Sequence, residues 1–114
     1  LQVQEFTAKQ KMEPDVSDMA LGWDTPSQSG KSIAGDYFTP GSFGHLGFTG
    51  TSLWIDPNNQ LFVILLTNAV HPNRSYKDPN YYDWRQKIHS SIYESLGINN
   101  MNNNLEWRER WQKN

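Results

Sequence analysis

The side chains able to do chemistry in this 114-residue chain are three histidines, a scatter of serines and no cysteine. Without thiols there is no cysteine nucleophile, no thiolate metal site and no disulfide scaffold. His71 and His89 lie eighteen residues apart with no carboxylate spaced to share a metal with them, so no metal and no cofactor is expected. Ser29-Gly30-Lys31-Ser32 has the ending of a phosphate-binding loop. That loop needs an earlier glycine where Thr25 stands, and no apolar strand precedes it, so it reads as a loop and nothing more. Asn73-Arg74-Ser75 fits a glycosylation sequon, a pattern short enough to arise by chance. His45 remains, in Phe43-Gly44-His45-Leu46-Gly47-Phe48, set between glycines and ahead of a Gly/Thr-rich turn.

The elements that must position these residues belong to one ordinary domain at most. A net charge of −2 argues against a nucleic-acid binder, which needs a basic face. No apolar run approaches the ~20 residues that span a bilayer. The opening on Leu1 reads as a cut end, of either a mature chain or a piece of a longer one. Hydrophobic residues make up only 36%, yet there are five Trp, five Tyr and five Phe, so either aromatic rings carry the packing or part of the core comes from elsewhere. The same rings, with Asn and Gln, are also compatible with a carbohydrate-binding surface.

Residues 1–13 resemble the last turns of a helix closed by Pro14. Ala20-Leu21-Gly22-Trp23 is a short strand candidate, and the Ser/Gly/Pro-rich stretch 25–44 an ordered surface loop. Residues 42–47 and 49–56 are strand-like, and Leu61 to Leu66 is a continuous apolar run expected to be a strand buried on both faces. Pro57-Asn58-Asn59-Gln60 makes a hairpin of the last two. Asp83 as N-cap, with Gln86 three residues on, predicts a helix whose stripe Trp84, Ile88, Ile92, Leu96 packs on the sheet, with Gly97 as its stop. Asn99–Asn104 is a spacer, and Trp107 and Trp111 sit in a polar tail, so residues 1–97 are separated from 98–114.

The stretch from Gly41 to Arg74 resembles the last box of the serine β-lactamase and penicillin-binding-protein family. The box is K-T-G there, or H-x-G in the class C-like esterases and peptidases, and stands here as His45-Leu46-Gly47. Gly50-Thr51-Ser52-Leu53-Trp54-Ile55-Asp56-Pro57, then Leu66-Thr67-Asn68 and His71-Pro72, extend the match, as does Ala20-Leu21-Gly22-Trp23. The resemblance covers about residues 1–97 and implies an α+β fold: an antiparallel sheet of about three to four strands with flanking helices, the C-terminal portion of the DD-peptidase/β-lactamase fold. It implies that the Phe48 N–H is one oxyanion donor and that His45 either supplies a polar group near the catalytic hydroxyl or recognises a substrate carboxylate, with Leu46 and Gly47 against the substrate. It implies a bacterial, exported, periplasmic or cell-envelope hydrolase acting on a small amide or ester through an acyl-enzyme. The tail is also reminiscent of hydrolase domains fused behind family 3 glycoside hydrolases.

The departures are definite. No serine has a lysine three residues later, so the S-x-x-K nucleophile is absent, and so is any Tyr-x-Asn or Ser-x-Asn; Tyr76-Lys77-Asp78 lies on the wrong side of the box. The chain therefore reads as a C-terminal segment of a serine hydrolase, inactive alone. Its apolar sheet face would be covered by the upstream part of the same hydrolase or by self-association. The alternative is a non-catalytic interaction or carbohydrate-binding module on the same scaffold.

Overall fold

The apolar runs of the sequence become the elements of the fold, which a computed structural model describes for residues 2–10, 19–27, 32–74 and 81–99. A short helix α1 (Gln2–Thr7) precedes three strands, β1 (Phe43–Leu46), β2 (Ser52–Asp56) and β3 (Leu61–Leu65), and a longer helix α2 (Tyr81–Ser95). The strands form one antiparallel sheet in the order β1-β2-β3. The fold is α+β, as the sequence implies. β2 and β3 are the expected hairpin, with Trp54 opposite Val63 and Leu53 opposite Ile64. The outer edge of β1 meets Asp24, which exchanges N–H···O=C bonds of 2.8 and 2.9 Å with Gly44.

Packing is aromatic. Trp54 is fully buried, and Ala34, Tyr37, Phe38, Val63 and Tyr93 close around it. Phe38 sits at the centre, with ring centroids 5.7 Å from Trp54, 5.2 Å from His89 and 5.1 Å from Tyr93. Such tilted and edge-on contacts suit the ring quadrupole. Gly44 makes the close approach possible, because a Cβ there would overlap the Trp54 ring.

Several expectations are corrected. Ala20-Leu21-Gly22-Trp23 is a tight turn and not a strand: the Ala20 N–H donates to the Trp23 carbonyl at 2.7 Å, and Gly22 takes φ +78°. α1 ends at Thr7, whose hydroxyl donates to the Val3 carbonyl at 2.7 Å. Strand β3 is covered on one face only. Val63 is buried, but Phe62 is 66% exposed, Ile64 57% and Leu66 80%, because alternate side chains point away from α2.

The expected surface loop also behaves otherwise. Ser32 to Phe38, apart from Ile33, is buried. Buried backbone carbonyls need donors, and α2 supplies them: Gln86 Nε2 donates to the Ser32 carbonyl at 2.6 Å and His89 Nδ1 to that of Ala34 at 2.8 Å. The Ser90 hydroxyl donates to Asp36 at 3.3 Å. α2 therefore turns Arg85, Gln86, His89, Ser90 and Tyr93 inward, and the stripe expected to face the sheet stays outside or half-buried, with Trp84 64% exposed and Leu96 58%. The helix starts at Tyr81, so Asp83 lies in its first turn and is not the N-cap. Gly97 is the expected stop: at φ +71° it donates to the Glu94 carbonyl while Ile98 donates to that of Tyr93, a Schellman closure. Pro14, Ser29-Gly30-Lys31, Ser75, Tyr76-Lys77-Asp78, most of the Asn-rich spacer, Trp107 and Trp111 lie outside the described residues.

One carboxylate joins sheet, loop and helix. Asp56, fully buried, accepts from the Tyr93 hydroxyl at 2.6 Å, the Thr39 hydroxyl at 2.7 Å and Asn59 Nδ2 at 2.8 Å. Burial alone would raise its pKa, but the bonds from Thr39, Tyr93 and Asn59 outweigh this and hold it below its ordinary value. Burial, then the bond and charge of Asp56, raise the Tyr93 pKa, so that hydroxyl remains a donor.

Acid should weaken this assembly in two stages. Burial, reinforced by the Arg85 charge and opposed by the bond to Ala34, pushes the His89 pKa from 6.5 down to about 4. A depressed folded pKa means that the unfolded chain binds protons first, so the His89 contribution is lost as pH falls from about 6.5 toward about 4. Asp56, also depressed, gives way at still lower pH. Chemical denaturation of the protein should show a loss of about 2 kcal/mol between pH 7 and pH 5. His89→Gln, which keeps a donor for Ala34, should remove that pH dependence; equal slopes in both proteins would contradict the assignment.

Candidate active site

The H-x-G residues occupy the end of β1 and the turn that follows. His45 and Leu46 are on the strand, and Gly47 continues the ladder by donating to the Thr51 carbonyl at 2.7 Å. The His45 side chain is exposed, and its Nδ1 lies 2.8 Å from the Leu46 carbonyl. A carbonyl can only accept, so Nδ1 carries the proton in that contact and the neutral ring keeps its lone pair on Nε2. His45 stands opposite Leu53, and Leu53 opposite Ile64. Cross-strand partners share a face, so His45 lies on the face α2 leaves open, in one row with Leu53 and Ile64, and Phe62 shares that face in the neighbouring row.

Backbone directions along β1 alternate in the same way. Gly44 uses its N–H on the outer edge, toward Asp24, and Gly47 uses its own on the inner edge, toward Thr51. The N–H groups of Leu46 and Phe48 therefore point to the outer edge, the one that meets Asp24 at Gly44. The turn carrying Phe48 is held from several sides. Gly50 donates to the Gly47 carbonyl at 3.0 Å, closing it. The Ala69 N–H and the Thr67 hydroxyl both donate to the Thr49 carbonyl, at 2.9 and 2.7 Å. Arg85, reaching across from α2, donates to the Gly50 carbonyl at 3.2 Å. The Arg74 guanidinium sits 5.2 Å from the centroid of the Phe48 ring, in cation–π range.

Sequence reasoning missed Thr67, Arg74 and Arg85 as neighbours of the box. Arg74 enters the sequence reading only as the middle of a sequon, and Arg85 not at all; only a helix–sheet contact could have connected Arg85 to a turn 35 residues away. His89, by contrast, is in the core and His71 on an exposed loop. Among the described residues no group of three or more His, Asp or Glu could hold a metal, and no helix is long and apolar enough to cross a membrane. Tyr37, Phe38, Trp54 and Tyr93 are buried and offer no surface for a sugar to stack on.

Comparison with known proteins gives one family: the chain matches the beta-lactamase family over residues 2–87. It is similar to an N-acetylmuramyl-L-alanine amidase of Bacillus subtilis, 32% identical over 101 residues that make up 80% of this chain and 22% of that protein. It is also similar to a protein of Salmonella gallinarum named as a D-alanyl-D-alanine carboxypeptidase, 33% identical over 70 residues, 60% of this chain and 16% of that protein. The chain thus spans about a fifth of the length of these curated relatives. No solved structure matches it.

Gly47 was expected to be glycine so that substrate could approach. The structure shows a nearer cause, since a Cβ at 47 would collide with the Thr51 hydroxyl oxygen. Gly47→Ala should therefore cost about 2 kcal/mol or more, as overpacking does. In a Thr51→Ala background the cost should fall to well under half of that. A double-mutant cycle by thermal or denaturant unfolding that shows no coupling would remove this explanation.

Proposed function

The chain belongs to the beta-lactamase family, and on that premise we propose that it supplies the H-x-G strand and one oxyanion donor to a serine hydrolase whose nucleophile lies elsewhere in the same protein. In this reading a serine hydroxyl attacks the carbonyl carbon of an amide or ester, and the carbonyl electrons move onto oxygen. The Phe48 N–H donates to that oxyanion; it then collapses, the bond to nitrogen or oxygen breaks, and the departing amine or alcohol takes up the proton the serine hydroxyl gave up to a base of the upstream part, leaving an acyl-enzyme for water to cleave. His45 supplies a polar group beside the serine, and Leu46 and Gly47 present the strand edge to the substrate. The names of the two relatives, an amidase and a carboxypeptidase, favour an amide over an ester.

One observation carries the reading: His45 and the uncovered apolar patch of Phe62 and Ile64 lie on the same face of the sheet. A patch of that kind calls for a covering layer. Whatever covers it meets His45 at the same surface, where a nucleophile-bearing region has to be. We assign that layer to the upstream part of the same hydrolase, with a second copy of the chain as the substitute when that part is missing.

The 114-residue chain alone should not hydrolyse β-lactams or activated esters and should bind a hydrophobic dye. The complete protein should turn over an activated amide or ester and lose dye binding. There His45→Ala should lower kcat/KM by on the order of 100-fold, the size of a lost acid–base group. Labelling of a serine within these 114 residues by a fluorophosphonate probe would refute the assignment.

A further inference from the structure

We infer that Arg85 and Thr67 are positioning residues that fix the direction of the Phe48 amide by clamping the turn that bears it; the inference rests on reading that amide as the oxyanion donor. A trans peptide is planar, so the N–H of Phe48 points opposite to the carbonyl of Gly47. That carbonyl is turned inward by the Gly50 N–H at 3.0 Å, which sends the Phe48 N–H outward, to the edge of β1. The aim of the amide is therefore only as sharp as the turn is rigid.

Gly50 is a soft joint in that turn. It sits at φ +91° and has no Cβ to restrict rotation about its own bonds. The two peptides on either side of it are the ones held from outside. The Thr49 carbonyl, on the N-terminal side, receives the Thr67 hydroxyl at 2.7 Å and the Ala69 N–H at 2.9 Å. The Gly50 carbonyl, on the C-terminal side, receives Arg85 Nη2 at 3.2 Å. Fixing both flanking peptides fixes the joint between them. Arg85 is 2% exposed, so its own side chain is held by packing as well as by this bond. Its charge, carried behind the turn in a region of low dielectric, has the sign an oxyanion needs. Thr67 comes from the chain leaving β3 and Arg85 from α2, so the turn stays rigid only while both remain packed against it.

The test compares isosteric losses with conservative replacements in the complete protein. Arg85→Met keeps the buried stem and removes the donor, and Arg85→Lys restores a donor and a charge. Thr67→Val removes one hydroxyl at constant shape, and Thr67→Ser keeps it. With an activated ester, Arg85→Met and Thr67→Val should each lower kcat about 10-fold or more, as weakening of an oxyanion donor does, and leave KM within about two-fold. Arg85→Lys and Thr67→Ser should recover most of the loss. Hydrogen exchange at the Gly47, Gly50 and Thr51 amides should quicken in the two damaging variants and stay unchanged in β2–β3. Unchanged exchange in the turn, or a kcat loss that the conservative variants share equally, overturns the positioning role and leaves the hydrolase reading intact. A complete wild-type protein that forms no acyl-enzyme overturns the hydrolase reading and the catalytic side of this inference with it.

Discussion

The Asp56 carboxylate, at the last residue of β2, is where the sheet, the 32–42 loop and α2 are tied together. A buried anion is tolerated only where donors replace the water it has lost. Here the hydroxyls of Thr39 and Tyr93 and the amide groups of Asn59 do so. The bond to Tyr93 fixes one end of α2. Eight residues earlier, roughly 12 Å along the helix axis, Arg85 bonds the Gly50 carbonyl just ahead of β2. The helix is therefore fastened near both ends of the central strand, beside the aromatic packing of Tyr93 and His89.

This arrangement divides the sheet. The face under α2 is aromatic and closed, built on Trp54 and filled by Phe38 and Tyr93. The other carries His45 and Phe43 at one side, where Trp23 packs over Phe43, and Phe62, Ile64 and then Leu66 at the other, where the side chains stay exposed. The closed face determines where the β1 turn sits, and the open face is where its chemistry is presented.

The hairpin was legible because an uninterrupted β-branched and aliphatic run followed a Pro-Asn-Asn turn, two signals that agree. The stop at Gly97 was legible for a similar reason. The orientation of α2 was not. Periodicity assigns polar residues to water, but Gln86 and His89 face inward to satisfy carbonyls of a loop more than 50 residues away, and nothing local in the helix announces that requirement. The same loop was misplaced because its Ser, Gly and Pro content outweighed the signal from Tyr37 and Phe38, which are core residues. His45, Leu46, Gly47 and Phe48 were found through the family resemblance of the box and its flanks; a lone histidine between glycines has no physical signature of its own. Thr67 and Arg85 were invisible because their importance is a matter of which carbonyl they reach.

The collision that any side chain at 47 would have with Thr51 bears on how the family's motif is read in genomes. Selection on a glycine required by its own sheet continues after catalysis is gone, because a substitution there threatens folding first. A descendant that had lost its serine and become a binding protein would be held to the final letter of H-x-G for as long as it kept Thr51. The glycine is therefore a marker of ancestry and of a paired turn, and retention of activity has to be judged from the letters that folding does not protect.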